Sequence, residues 1–338
     1  MKNPASWDKA DLYRHLQHAL DLELWTIPLY LTALYSIRDL TKTRHKDFPE
    51  AAKLIYSVVV QEMLHVELVC NLSNALGYTP RFKCPEYDTS RGIPFIHPRH
   101  EQLPEILNGY VVKPQALSRE CLRLFCAIEL PQPVKQFVWE HEHEYNSIAE
   151  VYEAIKLAVT TLWDSYYVGF SQNTKQKNTF SEYHKGRGKK HGFSINIHSA
   201  ETALKAIEAI IEQGEGADDS RVPVDFRPPE ISDSQEFDPA WYKGDLSHYQ
   251  KFNILLHAHH RLPPVYDEEL AEGARAANDQ MKKDFLDFFA LMEDAFNNDE
   301  EDMPKVFWKK MYGLGNSIAA VWQSGMCPDF TFDDHNDD

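Results

Sequence analysis

Glu62 and His65 lie on the apolar face of a helix, where neither residue is at ease alone. Within residues 54–75, Ile55, Val58, Val59, Val69 and Leu72, followed by Leu76, recur at three- and four-residue spacing, the pattern of an amphipathic helix. A carboxylate and an imidazole three positions apart are neighbours on one helix surface and can converge on one ion. Burying both without a partner would cost on the order of 2–7 kcal/mol for each unsatisfied group. Two compensations are open: a metal ion, or a buried Glu–His hydrogen bond. An inward-facing Glu-x-x-His is the pattern with which helix bundles hold pairs of metal ions.

Glu23 joins this pair. The first helix, read over residues 8–37, has an apolar stripe of Leu12, Leu16, Ala19, Leu20, Ile27, Leu31 and Leu34, and Glu23 sits inside it. Pro28 removes a backbone donor and predicts a kink. Residues 41–49 form the turn to the second helix. Glu23 and Glu62 lie similar distances from that turn, so an antiparallel pair brings them to one height.

With 338 residues the chain can bury a sizeable core, and long 3.6-period stretches with only 14 glycines make it mainly α. A formal net charge of −17 argues against nucleic acid and anionic membranes as partners and leaves a small molecule as the expected one. The polar first dozen residues contain no signal-peptide apolar region, and no stretch reads as the roughly 20 apolar residues of a membrane span. Five cysteines, odd in number and without zinc-site spacing, read as reduced thiols. The expected location is cytoplasmic, with a homo-oligomer compatible.

Further along, Pro80, Pro85, Pro94, Pro98, Pro104 and Pro114 mark a long connection between the second and third helices. A short helix over residues 117–130 stops before Pro131, with Glu129 beside Leu122 and Phe125. Glu129 is either a ligand or a cap at the proline break. The tract from Glu140 to Glu144 alternates Glu and His and reads as a solvated face. Ser147 and Glu150 have capping-box spacing, so Glu150 is either that cap or a first-turn ligand. Lys185–Lys190 is a basic loop in an acidic chain. In the helix over residues 199–213, Leu204, Ile207 and Ile211 read as buried, which turns Glu212, and Glu215 beyond the Gly214 stop, the same way as Ile211. His248 shares a face with Phe252 and Leu255 in a helix over residues 241–259. It is a core histidine or a ligand.

Taken in order, Glu23-Leu24-Trp25-Thr26-Ile27-Pro28-Leu29-Tyr30-Leu31, Gln61 to His65 with Asn71 to Gly77, Ile128-Glu129-Leu130-Pro131, Ser147 to Ile155, Glu212 to Gly216 and Ser247-His248-Tyr249 resemble the ferritin-like domain of the iminophenylpyruvate dimer synthase family. The similarity covers about residues 8–260. That family belongs to violacein biosynthesis, with relatives in indolocarbazole assembly, and its named enzymes oxidatively couple two imines derived from aromatic 2-oxo acids. Their chains are far longer than this one. The resemblance implies an iron site and redox chemistry on a nitrogen-bearing aromatic small molecule.

The expected fold is therefore all-α: a ferritin-like four-helix bundle with a long crossover and added C-terminal helices. Residues 1–260 form the bundle, 261–328 two helices packed on it, and 329–338 an acidic tail. Glu23, Glu62 and His65 make one half of a metal site. The other half draws on Glu129, Glu150, Glu212, Glu215 and His248. Carboxylates with imidazoles suit iron, two ions of it, or manganese. A non-haem oxidase or oxygenase follows from this set, and a ferroxidase or a metal-free scaffold would use the same bundle.

Overall fold

The computed structural model describes residues 3–87, 91–93, 97–99, 112–130, 145, 147–169, 174–180, 196–214, 246–269, 271–300 and 303–332. Eight α-helices are present among them: α1 (Lys9–Tyr35), α2 (Glu50–Ala75), α3 (Arg119–Ile128), α4 (Ile148–Tyr166), α5 (Ala200–Gly214), α6 (His248–His257), α7 (Ala274–Asn297) and α8 (Lys305–Gln323). The all-α expectation holds, with one addition. A small antiparallel hairpin, β1 (Arg91–Ile93) with β2 (His97–Arg99), interrupts the long crossover between α2 and α3.

α1 and α2 pair with each other, as do α4 and α5, and α1 also packs on α4 and α2 on α5. This is the four-helix core. The shorter α3 and α6 pack together, and α6 reaches α2 and α5. α7 and α8 pair outside, with α8 against α1 and α7 against α2.

The central position of α1 follows from its sequence. Its first half is one-sided, but from Leu22 to Tyr35 every residue is buried, as expected of a helix apolar all round. Asp8 and Asp11 close its start with a reciprocal capping box. Pro28 lies inside this one unbroken helix rather than ending it. At the end of α2, the Gly77 N–H donates to Asn74 O at 3.1 Å and the Tyr78 N–H to Ser73 O at 2.8 Å, the two bonds of a Schellman stop. Gly77 has φ +74°, and a Cβ there would meet Val168 at 2.7 Å, so the stop requires glycine.

α2 is, by length and composition, apolar enough to cross a membrane, contrary to the reading that no stretch approaches this. However, 83 % of its most apolar window is buried inside the protein. All five cysteines are free thiols. The acidic-tail reading also needs correction at its start. Phe330 is buried against Phe285, and Asp329 N–H donates to Asn278, so the chain stays docked on α7 to that point. Residues 333–338 lie outside the described residues, as do the Glu140–Glu144 tract and the Lys185–Lys190 loop.

Two contacts tie α8 to α1. The Trp322 indole N–H donates to Thr32 O at 3.0 Å. Gly315 lies where a Cβ would come within 2.1 Å of the buried Tyr35 ring. Gly315→Ala should therefore cost about 1–3 kcal/mol through overpacking. Chemical denaturation checks this: an unchanged midpoint would mean the two helices separate freely at this crossing.

Candidate metal centre

Five side chains from four helices converge in the interior. Glu23 comes from the middle of α1, and Glu62 and His65 from adjacent turns of α2. Glu129 is the C-cap residue of α3, and His248 is the first residue of α6. None is more than 4 % exposed. They form two triplets, Glu23–Glu62–His65 and Glu62–Glu129–His248, with ligand atoms inside each within 4.8 Å of one another.

Glu62 belongs to both. Its Oε2 lies 3.6 Å from His65 Nδ1 and its Oε1 3.0 Å from His248 Nδ1. One oxygen thus faces each triplet, the disposition of a bridging carboxylate. His65 Nδ1 is 3.1 Å from Glu23 Oε2, and His248 Nδ1 is 3.5 Å from Glu129 Oε1. The two imidazoles stack at a centroid distance of 5.3 Å.

A second layer orients these groups. The Tyr152 hydroxyl donates to Glu23 Oε1, and the Tyr30 hydroxyl to Glu129 Oε1. Burial and the adjacent carboxylates hold both phenols well above their usual range, so they remain donors. His65 Nε2–H faces the Gln213 side-chain oxygen at 3.1 Å, which directs Nδ1 inward. Tyr30, Phe125 and Phe252 cluster beside the site with centroids 4.7 to 5.0 Å apart, Tyr30 edge to face with Phe125 and the other two pairs tilted, and exclude water from that side.

The electrostatics are those of a crowded, dry site. Burial pushes the Glu23 carboxyl up to about 7 against the pull of His65. Burial alone would also raise Glu62, but His248 and His65 outweigh it and hold Glu62 low. For His65, burial works downward and is overcome by Glu23 and Glu62, which push the imidazole up to about 10. His248 is likewise raised, by Glu62 and Glu129. Protons on the imidazoles therefore offset the carboxylates when no cation does so.

The donor set fits a pair of divalent ions. His248 is wholly buried, yet neither of its nitrogens has a hydrogen-bond partner, because the short approaches to Glu62 and Glu129 are not aligned for one. A buried imidazole aimed at two carboxylates without bonding either is arranged as ligands are around an ion. Carboxylate oxygens and imidazole nitrogens, without a thiolate, suit iron or manganese.

The other candidates fall elsewhere. Glu212 is exposed: the buried positions of α5 are Ala203, Ala206, Ile207, Ala209, Ile210 and Gln213, so of the three residues read as buried Ile207 is, while Leu204 and Ile211 lie at the margin and the buried face is turned by about one residue. Glu201, Lys205, Glu208 and Glu212 make its polar stripe. α5 thus offers the site an amide, Gln213, instead of a carboxylate. Glu150 is buried in the first turn of α4, where its N–H donates to the Ser147 hydroxyl, and it joins neither triplet. Glu215 lies outside the described residues. Gln213 escaped the sequence reading of the site, as did the hydroxyl bonds of Tyr30 and Tyr152, which were read only as aromatic residues that could line a pocket, since an amide and two phenols in apolar helices carry no ligand signature.

Residues 16–257 match the model of the ferritin-like family, a span that contains all five converging residues. No curated protein matches the chain. Among solved structures, a ferritin-like protein from Caulobacter vibrioides is 27 % identical, with a TM-score of 0.71 over 96 % of this chain and 99 % of that one. On the family match, which spans most of its length and encloses the buried Glu–His centre, the chain belongs to the ferritin-like family.

Proposed function

We propose that the protein is a non-haem di-iron oxidoreductase acting with O2 or peroxide on a small, nitrogen-bearing molecule, of which an amino-acid-derived aromatic imine is the type. The observation that carries the metal reading is Glu62, whose two oxygens face two separate triplets. Bound iron would supply the electrons with which O2 or peroxide is reduced. Glu23 and His65 would hold one ion, Glu129 and His248 the other, and Glu62 both.

Five residues offer at most eight donor atoms, three carboxylates with two each and two imidazoles with one each. Two ions of about six-fold coordination need about twelve. Positions therefore remain for exogenous oxygen ligands, which supports redox turnover over a purely structural site. The chain's own part is to fix the carboxylates through Tyr30 and Tyr152, to aim His65 through Gln213 and to keep water out through the aromatic cluster. The orphaned nitrogens of His248 weigh against a metal-free scaffold, in which Glu–His hydrogen bonds would satisfy both imidazoles. The resemblance of the sequence motifs to the iminophenylpyruvate dimer synthases supports an imine as substrate. The net charge of −17 disfavours polyanions through long-range repulsion.

Oxygen uptake by the ferrous protein tests this, with and without aromatic imines generated in situ. Substrate-triggered uptake that disappears in Glu23→Ala is the expected result. Oxidation of many irons per chain with mineral formation and no organic turnover would instead identify a ferroxidase.

A further inference from the structure

Lys251 is unexplained by the ligand set or by core packing. It stands one turn beyond His248 on α6, and its side chain is completely buried. Its ammonium has three N–H bonds to place, yet it donates to one neutral group, the side-chain oxygen of Gln61. The carboxylates that act on it are Glu62, which both triplets share, and Glu129, which belongs to the second alone, as does His248 one turn away; Glu23 is not among them. Burial dominates, and pulls the amine down to about 7. An isolated buried cation with so little compensation is rare unless something near it requires its charge.

The two triplets are also supported unequally. His65 has Gln213 behind its outer nitrogen, whereas the outer nitrogen of His248, Nε2, has no hydrogen-bond partner. Outer hydrogen bonds of this kind fix the ring and raise its basicity as a ligand. Each triplet has one tyrosine, so the tyrosines do not distinguish them.

We propose that the two metal positions are unequal by construction: Glu23–Glu62–His65 is the tight position and fills first, and Lys251 makes Glu62–Glu129–His248 the weak, exchangeable one. The inference rests on the two-metal reading above. Beside a divalent ion, the amine has two options. It keeps its proton and repels the ion, or it gives the proton up, and that cost is subtracted from binding. Both weaken the position whose carboxylates it faces. The pocket thereby holds its own weak competitor for the second ion, which also offsets Glu62 and Glu129 while that position is empty.

Anaerobic titration of the full-length metal-free protein with cobalt(II), followed by visible absorption and calorimetry, tests this without any turnover. At about pH 6, where the amine still holds its proton, the wild-type chain is expected to take two ions in two resolved phases whose affinities differ by at least about tenfold. Lys251→Met keeps the length and removes the charge. It should tighten the second phase by at least about tenfold and leave the first in place. Gln213→Leu should do the opposite, weakening the first phase by about 10–100-fold, the usual effect of losing an outer partner. Circular dichroism of each metal-free variant establishes that it is folded, and Lys251→Gln replaces the methionine variant where that one is not. Two ions bound with one affinity in the wild type would overturn the inequality, as would phases in folded Lys251→Met spaced as in the wild type. In both cases the two-metal reading stands. A folded wild-type chain that binds no cobalt overturns that reading and this inference with it.

Discussion

Glu62→Ala should empty both metal positions at once, taking protein refilled anaerobically with ferrous iron from about two ions per chain to nearly none. Glu62 is the only residue common to both triplets. Its removal withdraws one oxygen from each and leaves two buried imidazoles facing each other without the carboxylate between them. Glu129→Ala, by contrast, should spare the Glu23–His65 position, and Glu23→Ala the Glu129–His248 position. Elemental analysis of the three variants gives the answer directly. Full occupancy in folded Glu62→Ala would place the metal elsewhere. Glu62→Gln, closer in shape, controls for simple loss of packing.

The second large effect is on stability, and its sign with pH follows from the groups in the pocket. The folded chain holds a proton on Glu23 up to about 7 rather than 4.5, so this group makes the metal-free form less stable as pH rises between those values. His65 acts the same way at higher pH. Raised to about 10 from 6.5, it contributes stability fully below 6.5 and loses it as pH climbs through 10. A metal ion must displace these same protons, so its affinity rises over the same range. The metal-loaded and metal-free melting temperatures should therefore diverge as pH rises. At a hundredfold excess over Kd, each position adds about 2.7 kcal/mol. At about 2 °C per kcal/mol for a chain of this size, that is roughly 5 °C per position. Scanning calorimetry with and without chelator, at about pH 6 and about pH 8.5, measures the gap. Coincident curves at the higher pH would mean that these groups bind no ion.

How much of this could be read from the chain differs by residue, for physical reasons. Glu23, Glu62 and His65 were visible because long, regular helices fix which side chains share a face, and a charged group inside an apolar stripe is conspicuous. Glu129 and His248 were visible as candidates only: Glu129 sits at a helix end, where a capping role looks equally good, and a histidine on an apolar face reads equally well as a core residue. Glu212 was misjudged because α5 is short and rich in alanine. A rotation of one residue there exchanges Ile210 for Ile211, with almost no change in apolar pattern, and brings Gln213 inward in place of Glu212. Lys251 gave no warning, since lysine on a helix is ordinarily solvated. Its only clue was a position between His248 and Leu255 on a face that is otherwise buried. That the last two helices pack on the bundle was read from the apolar residues they carry, whereas their pairing with each other was not. Their docking through Trp322 and Gly315 depends on a close approach that spacing does not encode.

The placement of the five residues along the chain also sets a chronology. Glu23, Glu62 and His65 belong to α1 and α2, a single helical hairpin, so the first triplet needs only one short loop closed before its members meet. Glu129 and His248 are separated by α4 and α5, so bringing them together closes a far longer stretch of chain. Loop closure grows costlier with length, and contacts distant in sequence form late. The expected order of folding is therefore two-stage, with a binding half in place on the leading hairpin while the closing half is still being gathered. An ion caught by that hairpin would act as a nucleus around which the rest of the bundle condenses.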